Sequence, residues 1–296
     1  MGIAEIIPGV SGGTIAFITG IYEKLLDSIK AFKPSLLTTL KNDGIKGVWE
    51  EVNGTFLVTL VGGMGVSIVL FINVITYLLE NHKELLWAFF FGLIVASAVF
   101  IGRQIQKWDV VSISLMVFGI AIAYYITVAT PSQGNEALWF VFLSGAIAIS
   151  ALILPGISGS FILLLMGMYT YILPTVSDAL KTFATDKLIV VGVFGLGCLT
   201  GLLTFANLLS WTFKNYKNQT LAILTGFMIG SLNKVWPWRN VLSTRINSKG
   251  EEVPFLEESV LPGAYNGEPF IIGAIVLMIV GFIVVFGLER LDTKEN

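Results

Sequence analysis

Long uninterrupted apolar runs constrain the fold of this chain more than any other feature of its sequence. Several of them approach the roughly 20 residues that a helix needs to cross a bilayer. These runs are Val52 to Leu79, Leu85 to Gly102, Val110 to Ala129, Leu188 to Phe213 and Pro269 to Leu288. Because lipid offers no hydrogen-bond partners, a segment that crosses it must satisfy its own backbone, which favours helices. The runs therefore predict an all-α integral membrane protein.

The composition supports one membrane domain over residues 1–296. Only 13% of the 296 residues are charged and 55% are hydrophobic, whereas soluble domains carry about 25% charged residues. The net charge of -2 gives no reason to expect a nucleic-acid partner. Cys198 is the only cysteine, so neither an intrachain disulfide nor a thiolate metal site is expected. No cofactor is indicated, and the lack of a basic region at the start predicts no cleavable signal peptide.

A proline–glycine motif occurs twice in the chain. The segment IIPGVSGGTIAFITGIYEKLL at 6–26 aligns with ILPGISGSFILLLMGMYTYIL at 153–173, with nine identical positions. Two apolar helices can match by composition alone, but shared proline, glycine, serine and tyrosine positions indicate an internal repeat. We call residues 8–14 the first motif and residues 155–161 the second motif.

The alignment continues beyond the motifs at a shifted offset. Gly63 aligns with Gly197, and Gly92 aligns with Gly226. The shift indicates a longer connector in the first repeat, around the polar stretch from Lys30 to Glu51. The chain is therefore interpreted as a tandem duplication, with repeat one at 1–134 and repeat two at 135–296.

Duplicated membrane units with inverted topology are typical of secondary transporters. We expect each motif to form a re-entrant broken-helix hairpin, followed by about three transmembrane helices. An odd number of crossings would make the two repeats antiparallel. On this topology eleven of the 18 Lys and Arg residues fall on one side and seven on the other. The positive-inside rule assigns the richer side to the cytoplasm.

The chemistry of the motifs predicts an anion site. Pro8 and Pro155 are expected to break their helices, and the small or hydroxyl residues that follow can cap a new helix and let a ligand approach the backbone. A helix start of this kind favours phosphate, and inverted repeats would bring both copies together near the midplane. The alternative is that small residues only permit close helix packing. The candidate binding residues are Gly9, Ser11, Gly12, Gly13 and Thr14 in the first motif, and Gly156, Ser158, Gly159 and Ser160 in the second.

Two charged residues are further candidates. Glu5 lies three residues before Pro8, and an ionisable group within hydrocarbon is a functional hypothesis by default, here coupling to a proton or a cation. A surface position close to the amino terminus fits Glu5 equally well, and its aligned partner is Leu152. Arg103 ends an apolar run and could bind phosphate oxygens in a bidentate manner, or its side chain could extend to the membrane interface.

Three classes of function remain open at this point. The duplication and the paired motifs favour a transporter for an anionic, lipid-like substrate. An ion or small-anion channel or exchanger with re-entrant loops is the alternative. A membrane enzyme is disfavoured, because a serine nucleophile needs a nearby base and the sole histidine, His82, lies in a polar connector. No catalytic residue and no metal site are therefore predicted.

The two motifs resemble the paired signatures of the bacterial polyprenyl-phosphate transporter family, long known as a domain of unknown function. The matching segments are EIIPGVSGGTIAFITGIYEKLL and LPGISGSFILLLMGMY, and the resemblance spans essentially the whole chain. It implies a multi-pass protein of the bacterial plasma membrane that returns undecaprenyl phosphate, the carrier lipid of cell-wall synthesis, to the inner leaflet. Polyprenyl phosphate and membrane lipids are the implied partners; the oligomeric state is not implied.

One departure from the family pattern concerns the start of repeat one. An apolar run from Ala137 to Leu154 precedes the second motif, whereas only seven residues precede the first. Family members begin somewhat earlier, so this chain is expected to lack the start of its first helix.

Overall fold

The computed structural model describes residues 1–7, 11–246 and 252–292. Within these ranges the protein is mostly helical. In chain order the helices are α1 (Gly2–Ile6), α2 (Gly12–Ile18), α3 (Tyr22–Lys30), α4 (Leu36–Glu51), α5 (Gly54–Asn81), α6 (Lys83–Arg103), α7 (Val110–Val128), α8 (Leu138–Ile153), α9 (Gly159–Leu165), α10 (Tyr169–Thr182), α11 (Thr185–Asn215), α12 (Lys217–Ser231) and α13 (Ile271–Asp292).

Four helices in the described part of the chain are long and apolar enough to cross a membrane: α5, α6, α7 and α11. They coincide with four of the five apolar runs, which confirms a helical membrane protein. The fifth run forms α13, whose apolar part is shorter, and α12 has 15 residues. Helices α9 and α10 together pass the same test but are bent by 113° at the break between them.

The second half of the chain contains a hairpin that the sequence analysis did not predict. Strand β1 (Arg239–Ile246) pairs antiparallel with β2 (Glu252–Ser259), with irregular register near Ser243. Two indole N–H groups attach the hairpin region to the loop that follows it. Trp236 Nε1 donates to the Val260 carbonyl and Trp238 Nε1 to the Pro269 carbonyl, both at 2.8 Å. The protein is therefore mostly helical, with this hairpin in the connection between α12 and α13.

The polar connector of the first half is also ordered, as the exposed helix α4. No residue of α4 is buried, and the helix is interrupted at Gly44, whose φ of 67° lies in the left-handed region. Thr39 and Glu51 join its two ends through a hydrogen bond of 2.6 Å between their side chains. This extra helix accounts for the longer connector that the shifted alignment indicates.

The long helices pack in pairs that join the two halves of the chain. Helix α7 packs most extensively on α12, and α13 packs on α6. Glycines permit the close approach, as is common between membrane helices. A Cβ atom at Gly92 would overlap the carbonyl oxygen of Met278, and one at Gly226 would overlap that of Met116. The aligned glycines of α6 and α12 thus each contact the last helix of the other half.

The packing of the helix that precedes each motif differs between the two halves. Helix α8 lies along α11, and Gly197 and Gly201 of α11 face backbone atoms of α8. Helix α1 packs on α5 in the same manner but is only five residues long. A Cβ at Gly63, which aligns with Gly197, would meet no atom within 4 Å. Helix α5 is therefore covered over a shorter length than α11.

Candidate functional site

The first motif is built around the start of α2. Ser11 has an extended backbone, and its hydroxyl accepts a hydrogen bond of 3.1 Å from the Gly13 amide, as an N-cap does. The Gly12 amide donates to Glu5 Oε1 at 2.9 Å. Ser11, Gly12, Gly13 and Thr14 are all buried. The predicted residues Pro8 and Gly9 lie outside the described residues.

Glu5 therefore brings a carboxylate to the first helix start. The side chain is half-buried and extends from α1 to the Gly12 amide. A helix start attracts negative charge, and here a group of the chain itself supplies that charge. Glu5 lies at the motif and not on an exposed surface, and its coupling role stays a prediction.

The second motif has a different local structure. Helix α8 ends at Ile153, Leu154 is extended, and Pro155 follows at a buried position. Gly156 has a φ of 84°, which favours glycine. Ser158 precedes α9 as its N-cap, but its side chain makes no capping hydrogen bond. Helix α8 thus ends two residues before Pro155, and Gly156 follows with a left-handed backbone.

The hydroxyl groups of the second motif are bonded to each other. Ser158 Oγ lies 2.9 Å from Ser160 Oγ, and either hydroxyl can be the donor. Ser158 is buried and Ser160 is exposed. In the described part of the chain, neither hydroxyl has another recorded hydrogen-bond partner. These two hydroxyls therefore make fewer hydrogen bonds to the rest of the protein than the hydroxyl of Ser11 does.

The two motifs are in direct contact. The Gly156 amide donates to Thr14 Oγ1 at 3.0 Å. The Ser11 hydroxyl lies within hydrogen-bond distance of two carbonyl oxygens, those of Leu152 at 3.3 Å and Leu154 at 3.1 Å. Side chains of the first motif therefore form hydrogen bonds to the backbone on both sides of Pro155.

Tyr22 adds a third bond of this kind, which the sequence analysis missed. Its buried hydroxyl donates to the Ile153 carbonyl at 3.0 Å. The last carbonyls of a helix have no partner within that helix, and in a membrane each needs one. Tyr22 is identical in both repeats, which was the available signal for a role beyond packing. Side chains of the first half thus satisfy the broken end of α8.

These contacts also bear on the enzyme alternative. The Ser11 hydroxyl is directed at backbone carbonyls, whereas a nucleophilic serine would donate to a base. His82 lies between α5 and α6, with its ring near those of Tyr77 and Phe270. The geometry of Ser11 is that of a structural cap.

The structure does not bring Arg103 to the motifs. Its side chain is exposed at the end of α6, with the guanidinium 5.5 Å from the ring centre of Phe286. Among the described residues it has no recorded hydrogen bond to either motif. This position agrees with the interfacial alternative for Arg103 and offers no support for phosphate binding.

Lys234 is a charged residue near the second motif that the sequence analysis did not single out. It lies in the turn after α12, and its Nζ atom is 4.5 Å from the ring centre of Phe161. Together with Thr127, it lines a small cavity beside Gly156 and Ser158. Its position three residues after Ser231, at the end of an apolar helix, was the only sequence signal.

An apolar cavity of about 570 Å³ lies beside the first motif. Gly63 and Met64 of α5 line one side, Phe90 of α6 lines another, and the amino-terminal residues with Ile15 close it. It lies between α1, α5 and α6. Such a surface suits hydrocarbon rather than a charged group.

Comparison with known proteins agrees with the resemblance of the two motifs. A family model described as undecaprenyl phosphate translocase-like matches residues 1–253. A Vibrio cholerae protein named polyprenyl-phosphate transporter is 46% identical over 298 residues, covering 99% of this chain and 94% of that relative. A Staphylococcus aureus protein of the same name is 30% identical over 249 residues, covering 80% and 83% respectively. No solved structure matches this chain.

Proposed function

Because the chain belongs to the undecaprenyl phosphate translocase-like family, as its motifs indicated, we propose that it moves polyprenyl phosphate between the two leaflets of the bacterial plasma membrane. The observation that carries this proposal is the near full-length identity to a protein named polyprenyl-phosphate transporter. The multi-pass helical structure fits such a role. The specific substrate is undecaprenyl phosphate, returned to the inner leaflet for a new round of cell-wall synthesis.

The phosphate group is held where the two motifs meet. The hydrogen bond between Thr14 and Gly156 supports this part of the proposal, because it places both copies at one location. A Cβ at Gly12 would overlap Glu5 Oε1, and one at Gly159 would overlap the Ala148 carbonyl oxygen, so a side chain at either position would disturb its motif. The polyprenyl chain stays in hydrocarbon, for which the apolar cavity beside the first motif provides a surface.

The two halves act as inverted repeats that expose this location to each side in turn. The reciprocal contacts of the aligned glycines Gly92 and Gly226 support a two-fold relation between the halves. The 113° bend between α9 and α10 supports a re-entrant segment. A site at the interface of inverted repeats is the usual arrangement for alternating access.

A transport experiment tests the proposal. The purified protein would be placed in liposomes with undecaprenyl phosphate, and the lipid exposed on each leaflet would be measured over time. We expect faster exchange than in protein-free liposomes, and its loss when Gly159 is replaced by leucine. Flux of chloride or inorganic phosphate is measured in the same liposomes. Ion flux without lipid exchange would contradict the proposal and favour a channel or exchanger.

A matched variant controls for damage to the fold. Gly62 lies on α5, and a Cβ there would meet no atom within 4 Å, so Gly62→Leu should exchange lipid like the unmodified protein. Undiminished exchange by folded Gly159→Leu would remove the second motif from the site.

A further inference from the structure

The two motifs differ in the charge that they already contain. At the first motif the Glu5 carboxylate accepts the hydrogen bond of the Gly12 amide. At the second motif the aligned residue is Leu152, which cannot supply a carboxylate. The Ser11 hydroxyl is bonded to backbone carbonyls, whereas those of Ser158 and Ser160 are bonded to each other. An incoming anion therefore meets less competition at the second motif.

A cation is present at this second motif. Lys234 lines the same small cavity as Gly156, Ile157 and Ser158, and only 19% of its side chain is exposed. Its ammonium group lies over the ring of Phe161, which belongs to the motif. Lysine binds phosphate as a compact point charge. Lys234 thus combines the charge and the position that a phosphate site at Ser158 needs.

Positive charges outnumber negative charges around Lys234. Glu257 of β2 is its recorded ionic partner, with 3.8 Å between Lys234 Nζ and Glu257 Oε2. The same oxygen lies 3.6 Å from Nε of Arg239, a residue that is 6% exposed. Two largely buried cations therefore share one carboxylate. Burial, together with the charge of Arg239, lowers the pKa of Lys234 to about 8.

Most other polar neighbours of Lys234 already have hydrogen-bond partners. Arg239 donates to the carbonyls of Asn233 and Lys234. Thr127 Oγ1 accepts from Asn233 Nδ2 at 2.8 Å and donates to the Tyr124 carbonyl. Apart from Arg239 Nε, which lies 3.6 Å from Glu257 Oε2, the groups that remain to receive an anion are the Lys234 ammonium and the Ser158–Ser160 hydroxyl pair.

We propose that a phosphate monoester binds between Lys234 and the hydroxyls of Ser158 and Ser160, and that it displaces Glu257 from the lysine. A phosphate monoester carries a charge of about -1.5 to -2 at neutral pH, more than the single carboxylate that it replaces. Its oxygens can accept from the ammonium and from both hydroxyls. Glu257 is then the anion that holds the lysine while the site is empty. The identity of the ligand as a lipid phosphate rests on the proposed function.

Binding to the full-length chain in detergent tests the inference. Undecaprenyl phosphate, undecaprenol without phosphate, and inorganic phosphate are titrated separately and monitored by native mass spectrometry. Lys234→Met keeps an apolar side chain on Phe161 and removes the charge. Since hydrogen bonds to charged groups are strong, we expect Lys234→Met to weaken undecaprenyl phosphate binding by about tenfold or more. Undecaprenol binding should not change.

Two further variants test the charge of Lys234 and the competition from Glu257 separately. Lys234→Arg keeps the charge and should retain most of the binding. Glu257→Gln removes the competing carboxylate and should tighten binding several-fold; unchanged or weaker binding would overturn the displacement of Glu257. The control is Lys187→Met, because Lys187 is 40% exposed beside Asp186 and its loss should have no effect. Size-exclusion chromatography and thermal melting identify variants that do not fold.

The outcomes distinguish this inference from the proposed function. Equal binding of undecaprenyl phosphate by the folded Lys234→Met variant and the unmodified chain overturns the lysine site and leaves lipid-phosphate transport intact. Lys234-dependent binding of inorganic phosphate without binding of the lipid supports the site and contradicts the proposed function. If Lys234→Met fails to fold, the increase expected for Glu257→Gln decides the question.

Discussion

At the scale of single residues, the pair Glu5 and Leu152 distinguishes the two motifs. The positions align, yet only Glu5 can accept the hydrogen bond that the Gly12 amide donates. Two aligned sites therefore differ in charge. We propose that Glu5 couples transport to a proton or cation while the second motif receives the phosphate.

A conservative substitution tests the coupling role of Glu5. Glu5→Gln keeps an oxygen that can accept from the Gly12 amide, so the fold should be retained, but its amide cannot gain or lose a proton near neutral pH. We expect the pH dependence of lipid exchange in liposomes to flatten in this variant. Glu23→Gln is the control, because Glu23 is 63% exposed. A pH profile identical to that of the unmodified protein would exclude a proton-coupling role for Glu5.

Sequence reasoning found the residues of the motifs but not most of their partners. Hydroxyl and glycine residues after a proline predict a helix start from local chemistry alone. That Ser11 and Tyr22 bond to carbonyls at 152–154 depends on contact between the two halves. The approach of Glu257 to Lys234 likewise depends on the hairpin. Such contacts are tertiary and leave no periodic pattern in the sequence.

At the scale of elements, apolar length predicted the helices well. The runs around α5, α6, α7 and α11 are continuous, and a helix satisfies all backbone hydrogen bonds of such a run within the segment itself. The hairpin was missed because residues 239–259 are rich in charged and polar side chains. Its strands form in a connecting region, where pairing does not depend on an apolar run.

Packing between α6 and α13, and between α12 and α7, gives a prediction about helix contacts. Gly92→Val and Gly226→Val each place a side chain where a carbonyl oxygen of the facing helix lies. Overpacking of this kind costs about 1–3 kcal/mol, so both variants should melt at a lower temperature in detergent. Gly63→Val on α5 is the control, because a Cβ there meets no atom within 4 Å. Equal melting temperatures for all three would contradict the close packing.

At the scale of the whole molecule, the proposed topology makes the first half run opposite to the second. The distribution of Lys and Arg then assigns α4 to the cytoplasm and the end of α10 to the other side. Cys198 is the only cysteine, so a Cys198→Ala background accepts single reporter cysteines. Both ends offer exposed positions for them, at Asp43 and Lys181.

Labelling in intact cells tests this topology. A thiol reagent that cannot cross the membrane should label Lys181→Cys and should label Asp43→Cys only after the cells are opened. Labelling of both positions in intact cells, or of neither, would contradict an inverted arrangement. Lipid exchange by the Cys198→Ala background shows that the reporter protein is functional.

The crossed pairing of α6 with α13 and of α7 with α12 has a consequence for how the protein is made. A ribosome completes α6 long before it reaches α13, the last helix of the described chain. Until then the face of α6 around Gly92 has no native partner and must be covered by lipid or by the insertion machinery. The amino-terminal half therefore cannot finish assembling before the carboxy-terminal half is made. A truncation that removes α13 would leave α6 without its packing partner.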